Sequence, residues 1–489
     1  MVPSLLSNNT FVYDSQSPCD TLQGTLAQAQ CSTWRGGFFD HNDSTSYEAA
    51  SNMSASEFDV SDTFVNATSA IWSTDMFHFT SNISSKVAFG IRRAANIDFY
   101  HSQHILGLGA SSTLLSTLKE AGIIASRSWS VYWGNSGAPD TQKNGTFVLG
   151  GYDSTKVTGQ NYSFPLTYDS SCPSGLVVLI AGLSLTFPNG TTANLFQSAA
   201  SSLRACIEPD YPVLITLPRD PYYDNLQLAA GIPDYSDYRS PGINYEGVTY
   251  PSDYHLDFGM SISLQSGPSI SIANSQVAQP DATILSDGLI NYTSTLNEVN
   301  IIPLYNQTEN DMVQLGRQFL SGAYLMVNQD TGIFTLWEAI YSPDEDLVAI
   351  DAQGQVFSPT CASTTSNNTT SGSTGSASPT PTPKTSTGTI VGAVVGGIAG
   401  VGLLVGLGIF LWKRSRKNKA ISAAGSGAYF HDKDEKAIPL YDYSAAKMND
   451  PAYELRGNPV NEMSGQHSPK EKSKSPTTKS GVHELGDSY

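Results

Sequence analysis

Residues 389–412, TIVGAVVGGIAGVGLLVGLGIFLW, form a run of 24 positions without a charged side chain. A helix rises about 1.5 Å per residue, so a run of this length can cross a hydrocarbon core of about 30 Å. Trp412 and the basic stretch KRSRKNK follow at the end of the run, which is typical of the cytoplasmic membrane interface. The run therefore predicts a single transmembrane helix in a type I plasma membrane protein, with residues 1–388 outside the cell.

The segment before this run has the features of a secreted chain. All five cysteines lie there, as expected for disulfides in an oxidising compartment, and the odd count leaves one without a partner in the chain. The start, MVPSLLSNNTFVYDSQ, has no signal peptide pattern, so the sequence is either a fragment or begins too far downstream. The Asn-x-Ser/Thr acceptors for N-glycosylation all precede the membrane run: Asn8, Asn42, Asn52, Asn66, Asn82, Asn144, Asn161, Asn189, Asn291, Asn306, Asn367 and Asn368.

Composition divides the rest of the chain. Residues 1–345 contain short β-branched and aromatic runs separated by Gly, Pro, Asn and Ser, which predicts a mostly β domain with a few short helices, such as one over 112–122. Residues 346–388 form a Ser/Thr/Pro-rich stalk, and residues 413–489 a disordered cytoplasmic tail. Gly-x-x-x-Gly spacings within 389–412 allow close helix approach, so a homodimer is one expectation.

Charge and motif content exclude several classes of function. Residues 1–388 carry 13 Lys and Arg against 34 Asp and Glu, a net charge of −21, which argues against binding nucleic acid. His101 and His104 have the spacing of metal ligands, but no acidic or cysteine partners recur near them, so a loop or packing role is predicted. Neither a phosphate-binding loop nor a serine nucleophile elbow occurs, and no metal or other cofactor is expected.

Five stretches occur in the order and spacing of a known family. They are FFDHNDSTSY (38–47), HILGLG (104–109), LKEAGIIASRSWSVYWG (118–134), GTFVLGGYDSTKVTG (145–159) and QLGRQFLSGAYLMVNQDTGIFTLWEA (314–339). Together they resemble the pepsin-like aspartic protease family. The resemblance implies two β-rich lobes facing each other across a cleft, with an N-lobe at about 1–165 and a C-lobe at about 166–345.

The same resemblance implies the chemistry and the disulfides. In the family each lobe supplies one Asp from an Asp-Thr/Ser-Gly loop, and two carboxylates about 3 Å apart share a proton and activate water. Cys19 and Cys31 are placed to form the family's first disulfide. Cys206 and Cys361 could pair in the second lobe, leaving Cys172 for a partner upstream of Met1, although three cysteines allow other pairings.

Both catalytic loops depart from the family pattern. Val2-Pro3-Ser4 is similar to the end of the family's first loop sequence, which places the first catalytic position upstream of Met1. The second loop lies over ACIEPDYPVLITLP, residues 205–218, where Glu208, Pro209 and Asp210 replace Asp-Thr-Gly. The extra methylene of Glu208 displaces its carboxylate by about 1.5 Å, enough to cost on the order of 10²-fold in rate. Glu208 and Asp210 are therefore only weak candidates for catalytic acids.

Two further differences point the same way. The family's lid, a Tyr followed by Gly-Thr-Gly, would fall near residues 69–83, where neither the Tyr nor any glycine occurs. Arg317 stands where the family has Asp in a Leu-Gly-Asp motif. We therefore expect a degenerate pepsin-like domain whose cleft binds a peptide, protein or wall-associated ligand. The alternatives are an active membrane-anchored aspartic endopeptidase and a structural or adhesive surface glycoprotein.

Overall fold

The structure is a computed structural model that describes only part of the chain. Several predicted features lie outside the described residues. They are the predicted stalk beyond residue 357, the run at 389–412, the predicted tail at 413–489, Cys361, His101 and the sequons at Asn52, Asn66, Asn367 and Asn368. Among the described residues, none of the helices combines the length and apolar character needed to cross a membrane. The structure describes residues 1–16, 19–21, 24–50, 70–92, 103–137, 141–198, 200–235, 238–240, 243 and 247–357.

The described chain is mostly β, as predicted. Its α-helices are α1 (Gln28–Arg35), α2 (Thr113–Glu120), α3 (Asp224–Ala230) and α4 (Asn274–Val277). Its strands are β1 (Val2–Ser4), β2 (Phe11–Tyr13), β3 (Asp20–Thr21), β4 (Gly24–Thr25), β5 (Glu48–Ala49), β6 (Ile71–His78), β7 (Ser84–Arg92), β8 (Ile105–Gly107), β9 (Ser128–Tyr132), β10 (Thr146–Leu149), β11 (Gly151–Asp153), β12 (Val157–Pro165), β13 (Val177–Thr186), β14 (Thr192–Asn194), β15 (Leu203–Ile207), β16 (Ile215–Pro218), β17 (Val248–Pro251), β18 (Gly259–Leu264), β19 (Ser269–Ile272), β20 (Ala278–Ile284), β21 (Ile290–Val299), β22 (Ile301–Leu304), β23 (Val313–Leu315), β24 (Ala323–Asn328), β25 (Ile333–Ala339) and β26 (Leu347–Ala349).

Helix α2 forms where the sequence predicts a helix. Ser112 caps its first turn, with its hydroxyl oxygen accepting a hydrogen bond from the Leu115 N–H at 3.2 Å. Leu114, Leu115 and Leu118 are fully buried, because the 3.6-residue repeat places them on the face that packs into the core. The cap and the apolar face together account for a helix of only two turns.

The N-lobe sheet has the strand order β1-β8-β2-β7-β6-β5. Strand β1 pairs in parallel with β8, and β2 pairs in parallel with β7. At Phe11 and Ile105, β2 also pairs antiparallel with β8. The chain therefore enters the loop between β1 and β2 along one side of β8 and leaves it along the other side.

The C-lobe sheet repeats this arrangement. Its order is β19-β18-β13-β15-β23-β16-β22, with β15 parallel to β23 and β16 parallel to β22. Strand β16 pairs antiparallel with β23 at Ile215 and Leu315. The loop between β15 and β16 thus has the same strand environment as the loop between β1 and β2.

A third sheet, β10-β9-β24-β25-β12, contains strands from both halves of the sequence. One continuous apolar core runs through the described residues from Leu5 to Leu336. The ordered domain also continues past the predicted boundary at residue 345, because β26 pairs antiparallel with β11.

Candidate functional site

A glycine beneath each loop shows which positions of the two loops correspond. A Cβ on Gly107 would lie 2.3 Å from the carbonyl oxygen of Asn9, and a Cβ on Gly316 would lie 2.3 Å from that of Val213. Only glycine lets the backbones pass so closely. Gly107 and Gly316 therefore hold the same place in the two sheets, each under a residue of the loop that crosses it.

Counting back from these contacts aligns the loops. Asn9 lies five residues after Ser4, and Val213 lies five residues after Glu208. In the strand pairing, Ser4 is opposite Gly107 and Ile207 is opposite Leu315. Glu208, the residue after Ile207, therefore comes level with Gly316, the residue after Leu315. Ser4 is therefore the counterpart of Glu208.

This register corrects the sequence prediction for the first loop. Val2-Pro3-Ser4 is the strand that enters the loop, not the strand that leaves it, so the first catalytic position is not upstream of Met1 but falls at Ser4. Phe11-Val12 begins the strand that leaves the loop, and this buried apolar pair is the signal in the sequence that could have located it.

The first loop contains hydroxyl and amide groups in place of a carboxylate. No Asp or Glu occurs among residues 1–13. Ser4 is fully buried, and its hydroxyl oxygen accepts a hydrogen bond from the Leu6 N–H at 3.3 Å. The Ser7 hydroxyl, also fully buried, donates to the Asn9 carbonyl at 2.8 Å. These groups fold the loop back on itself, and none of them can serve as an acid or base at ordinary pH.

The second loop holds both weak candidates. Glu208 is 7% exposed and Asp210 is 2% exposed. The Glu208 N–H donates to the Leu315 carbonyl at 2.9 Å, and its own carbonyl accepts from the Tyr211 N–H at 3.0 Å. One carboxylate oxygen of Glu208 lies 3.2 Å from the sulfur of Cys206. Both acids are thus enclosed in the loop.

Arg317 lies against this loop. Its guanidinium donates to the carbonyl oxygen of Asp210 at 3.2 Å, and its central carbon is 5.1 Å from the centre of the Trp133 ring. Burial lowers the pKa of Arg317 to about 10, while the nearby charge of Asp210 opposes that shift. A cation therefore offsets part of the negative charge of the second loop, at a position where the family has a further carboxylate.

The disulfides confirm one sequence prediction and correct another. Cys19 pairs with Cys31, as predicted. Cys206 pairs with Cys172, with 5.5 Å between the two Cα atoms, and not with Cys361. The pairing follows from the fold, because Cys172 lies just before β13, and β13 is the antiparallel neighbour of β15, which carries Cys206.

The new disulfide also bears on metal binding. The sulfurs of Cys172 and Cys206 and a carboxylate oxygen of Glu208 lie within 4.8 Å of one another. Zinc would require two thiolates here, and the two sulfurs are bonded to each other. In the oxidised protein this cluster therefore fixes the base of the second loop and offers no thiolate ligand.

The stretch compared with the family's lid belongs to the N-lobe sheet. Residues 70–83 contain β6, which pairs along its length with β7. Burial raises the pKa of Asp75 in β6, but hydrogen bonds from the hydroxyls of Ser46 (2.5 Å) and Ser44 (2.8 Å) and from the Met76 N–H outweigh it, so the pKa is lowered overall. The comparison of residues 69–83 with the lid therefore stays a prediction, made for a segment that forms a hairpin with β7.

His104 has the packing role predicted for it. It is 7% exposed, and its Nδ1 accepts a hydrogen bond from the Tyr13 N–H at 3.0 Å. Burial is the largest cause that lowers the pKa of His104 to about 4, and the nearby charge of Arg35 contributes to the same shift. The neutral imidazole thus ties β2 to the residue that precedes β8.

Two cavities lie near the loops. One of about 790 Å³ is mainly apolar and is lined by Leu106, Phe77, Trp133 and Phe147. The other, of about 990 Å³, lies beside Tyr211 of the second loop and is lined mostly by polar side chains. Of the described sequon asparagines, Asn8 is half-buried in the first loop, and the remainder are exposed: Asn42, Asn82, Asn144, Asn161, Asn189, Asn291 and Asn306.

A comparison with protein families found a match over part of the chain. The family profile described as Eukaryotic aspartyl protease matches residues 7–186, which include most of the N-lobe and end before the second loop. No curated protein matches the chain. This match, together with the two loops in equivalent strand environments, supports a pepsin-like aspartic protease domain in this chain.

Proposed function

We propose that this protein is a non-catalytic member of the family, which binds a peptide, protein or wall-associated ligand in the cleft and does not hydrolyse it. The observation that carries the proposal is that Ser4 occupies, in the first loop, the position that Glu208 occupies in the second. Ligand binding is favoured as the remaining role because the lobes and their core are intact.

The chemistry follows from that pairing. Two adjacent carboxylates can share a proton, so that one acts as a base toward water while the other acts as an acid toward the peptide. The hydroxyl of Ser4 cannot take either part, because it does not ionise in the range where carboxylates do. Pro209 also lacks the backbone N–H that would orient a carboxylate in the second loop.

The location belongs to the same proposal. The uncharged run at 389–412, the basic residues after it and the sequons before it support a single-pass surface glycoprotein, with the domain held outside the membrane by the stalk. In that arrangement the cytoplasmic tail would be available to transmit ligand binding inward.

A peptidase assay tests the loss of catalysis. The purified full chain is incubated with an unfolded protein substrate from pH 2 to pH 7, with and without pepstatin, and E208Q is prepared as the matched control. We expect no pepstatin-sensitive cleavage by either protein. Cleavage by the natural chain that pepstatin blocks and E208Q lacks would establish the active endopeptidase instead.

A further inference from the structure

The polar cavity beside the second loop has an unusual lining for a member of a peptide-binding family. Two aromatic rings, Tyr211 and Tyr305, face it together with the amides of Asn310 and Gln314. Its charged lining residues among those described are one Arg and one Asp, whose formal charges cancel. At about 990 Å³ it is at the upper end of the range for small-ligand sites. Such a lining suits a neutral ligand rich in hydroxyl and amide groups.

A glycosylation acceptor lies at the edge of this cavity. Asn306 is exposed, belongs to the sequon Asn306-Gln307-Thr308 and lines the cavity. Its backbone is left-handed, with φ at 55°. The Thr308 hydroxyl accepts from the Tyr305 N–H at 3.2 Å and bonds the Tyr305 carbonyl at 3.1 Å, which fixes the turn. A sugar attached to Asn306 therefore starts its path at the cavity wall.

We infer that the N-linked glycan on Asn306 lies in this cavity, with its first N-acetylglucosamine units against the polar lining. The amide of Asn310 lines the cavity and is exposed, so it can exchange hydrogen bonds with an N-acetyl group. The tyrosine rings offer flat apolar faces with wet edges, a suitable surface for a sugar ring. The inference depends on the proposed secretory route, but not on the loss of catalysis.

The position of the cavity gives this glycan a consequence. Tyr211 belongs to the loop that carries Glu208 and Asp210, and Thr216 of β16 lines the same cavity. A glycan lying there fills space beside the second loop, on a side lined only by residues of the C-lobe. It would therefore block access to Tyr211 from that side.

Asn189 supplies a control within the same molecule. It is exposed in the turn between β13 and β14, where its side-chain oxygen accepts from the Thr191 N–H at 2.9 Å. Asn189 does not line the polar cavity. A glycan at Asn189 therefore extends into solvent, whereas one at Asn306 is protected.

The experiment uses the full chain, expressed in a eukaryotic host behind an added signal peptide and purified from the membrane fraction. Peptide-N-glycosidase F is added to the folded protein, and release at each asparagine is followed by peptide mass spectrometry. We expect both sites to be occupied and Asn306 to be released at least about tenfold more slowly than Asn189, equivalent to about 1.4 kcal/mol of protection. After denaturation the two rates should become equal.

An unoccupied Asn306, or equal release rates in the folded protein, would overturn the inference. As a second measurement, N306Q should raise amide exchange in peptides covering 302–314, and N189Q should leave that exchange unchanged. Because the digestion needs no variant, it tests whether the Asn306 glycan is protected even if N306Q does not fold. A peptidase-active chain with a protected Asn306 glycan would refute only the proposed function, so the two proposals can be refuted separately.

Discussion

The two loops have the same strand frame and opposite chemistry. The loop after β1 is neutral and folds on its own hydroxyl and amide groups, whereas the loop after β15 encloses Glu208 and Asp210 beside the Arg317 guanidinium. In both, a glycine beneath the loop makes the same close backbone approach. The frame is therefore specified by strand pairing and glycine, and it tolerates either a neutral loop or a charged one.

Removing the cation from the second loop should have the largest effect. R317M leaves the buried Asp210 without its nearby positive charge, so we expect a loss of about 3–5 kcal/mol in the free energy of unfolding, measured by urea denaturation. D210N with R317M should recover part of that loss. R204M removes an exposed ion pair with Asp169 and should cost less than about 1 kcal/mol. Equal losses for R317M and R204M would contradict the proposed neutralisation.

The disulfides allow a comparison between the lobes. Removing the Cys172–Cys206 bridge, which spans 34 residues, should cost about 4 kcal/mol, and removing Cys19–Cys31, which spans 12, about 3 kcal/mol. The double alanine variants are compared by urea denaturation, and peptide mass spectrometry identifies the bridges in the natural protein. A Cys206–Cys361 peptide would show that the assigned pairing is wrong.

Acid should weaken the N-lobe through His104. Its pKa is about 4 in the folded protein and about 6.5 unfolded, so the unfolded chain binds more protons between these values. Stability is therefore complete above about pH 6.5 and falls by up to about 3 kcal/mol as the pH drops toward 4. Melting temperatures measured across this range should fall for the natural protein and change less for H104Q, which keeps an acceptor for Tyr13. Parallel profiles for the two proteins would exclude His104 as the cause.

The smallest effect is expected in the first loop. S4A removes the acceptor for the Leu6 N–H, and one neutral hydrogen bond contributes about 1 kcal/mol. Urea denaturation measures the loss. The dependence of stability on pH should be the same with and without the Ser4 hydroxyl, because it does not titrate. A changed pH profile in S4A would indicate that the first loop contains a titrating group after all.

Local patterns in the sequence predicted the parts of the fold that depend on local interactions. The α2 segment and the mostly β character follow from periodicity and propensity, and the Cys19–Cys31 bridge follows from the resemblance to the family. The three-residue match Val2-Pro3-Ser4 misled because so short a motif does not distinguish the strand entering a loop from the strand leaving it. Only the pairing of β1 with β8 shows that Val2-Pro3-Ser4 is the strand that enters the loop.

The remaining differences required contacts between distant residues. The sequence identified Asp210 and Arg317 as separate departures from the family, but their proximity depends on β23 lying beside the loop after β15. The Cys172–Cys206 pairing likewise depends on which strand neighbours β15. Neither the proximity of Asp210 to Arg317 nor the Cys172–Cys206 bridge can be predicted from the residues adjacent to them in the sequence.

The contact between Arg317 and Trp133 has a practical consequence. The indole lies beside a buried cation from the opposite half of the sequence, and the surroundings of an indole determine the wavelength and intensity of its fluorescence. A ligand that separates the two side chains should therefore shift the emission of the natural protein and leave that of a W133F variant unchanged. The protein thus contains its own optical probe at the base of the second loop, and ligands can be screened without any label.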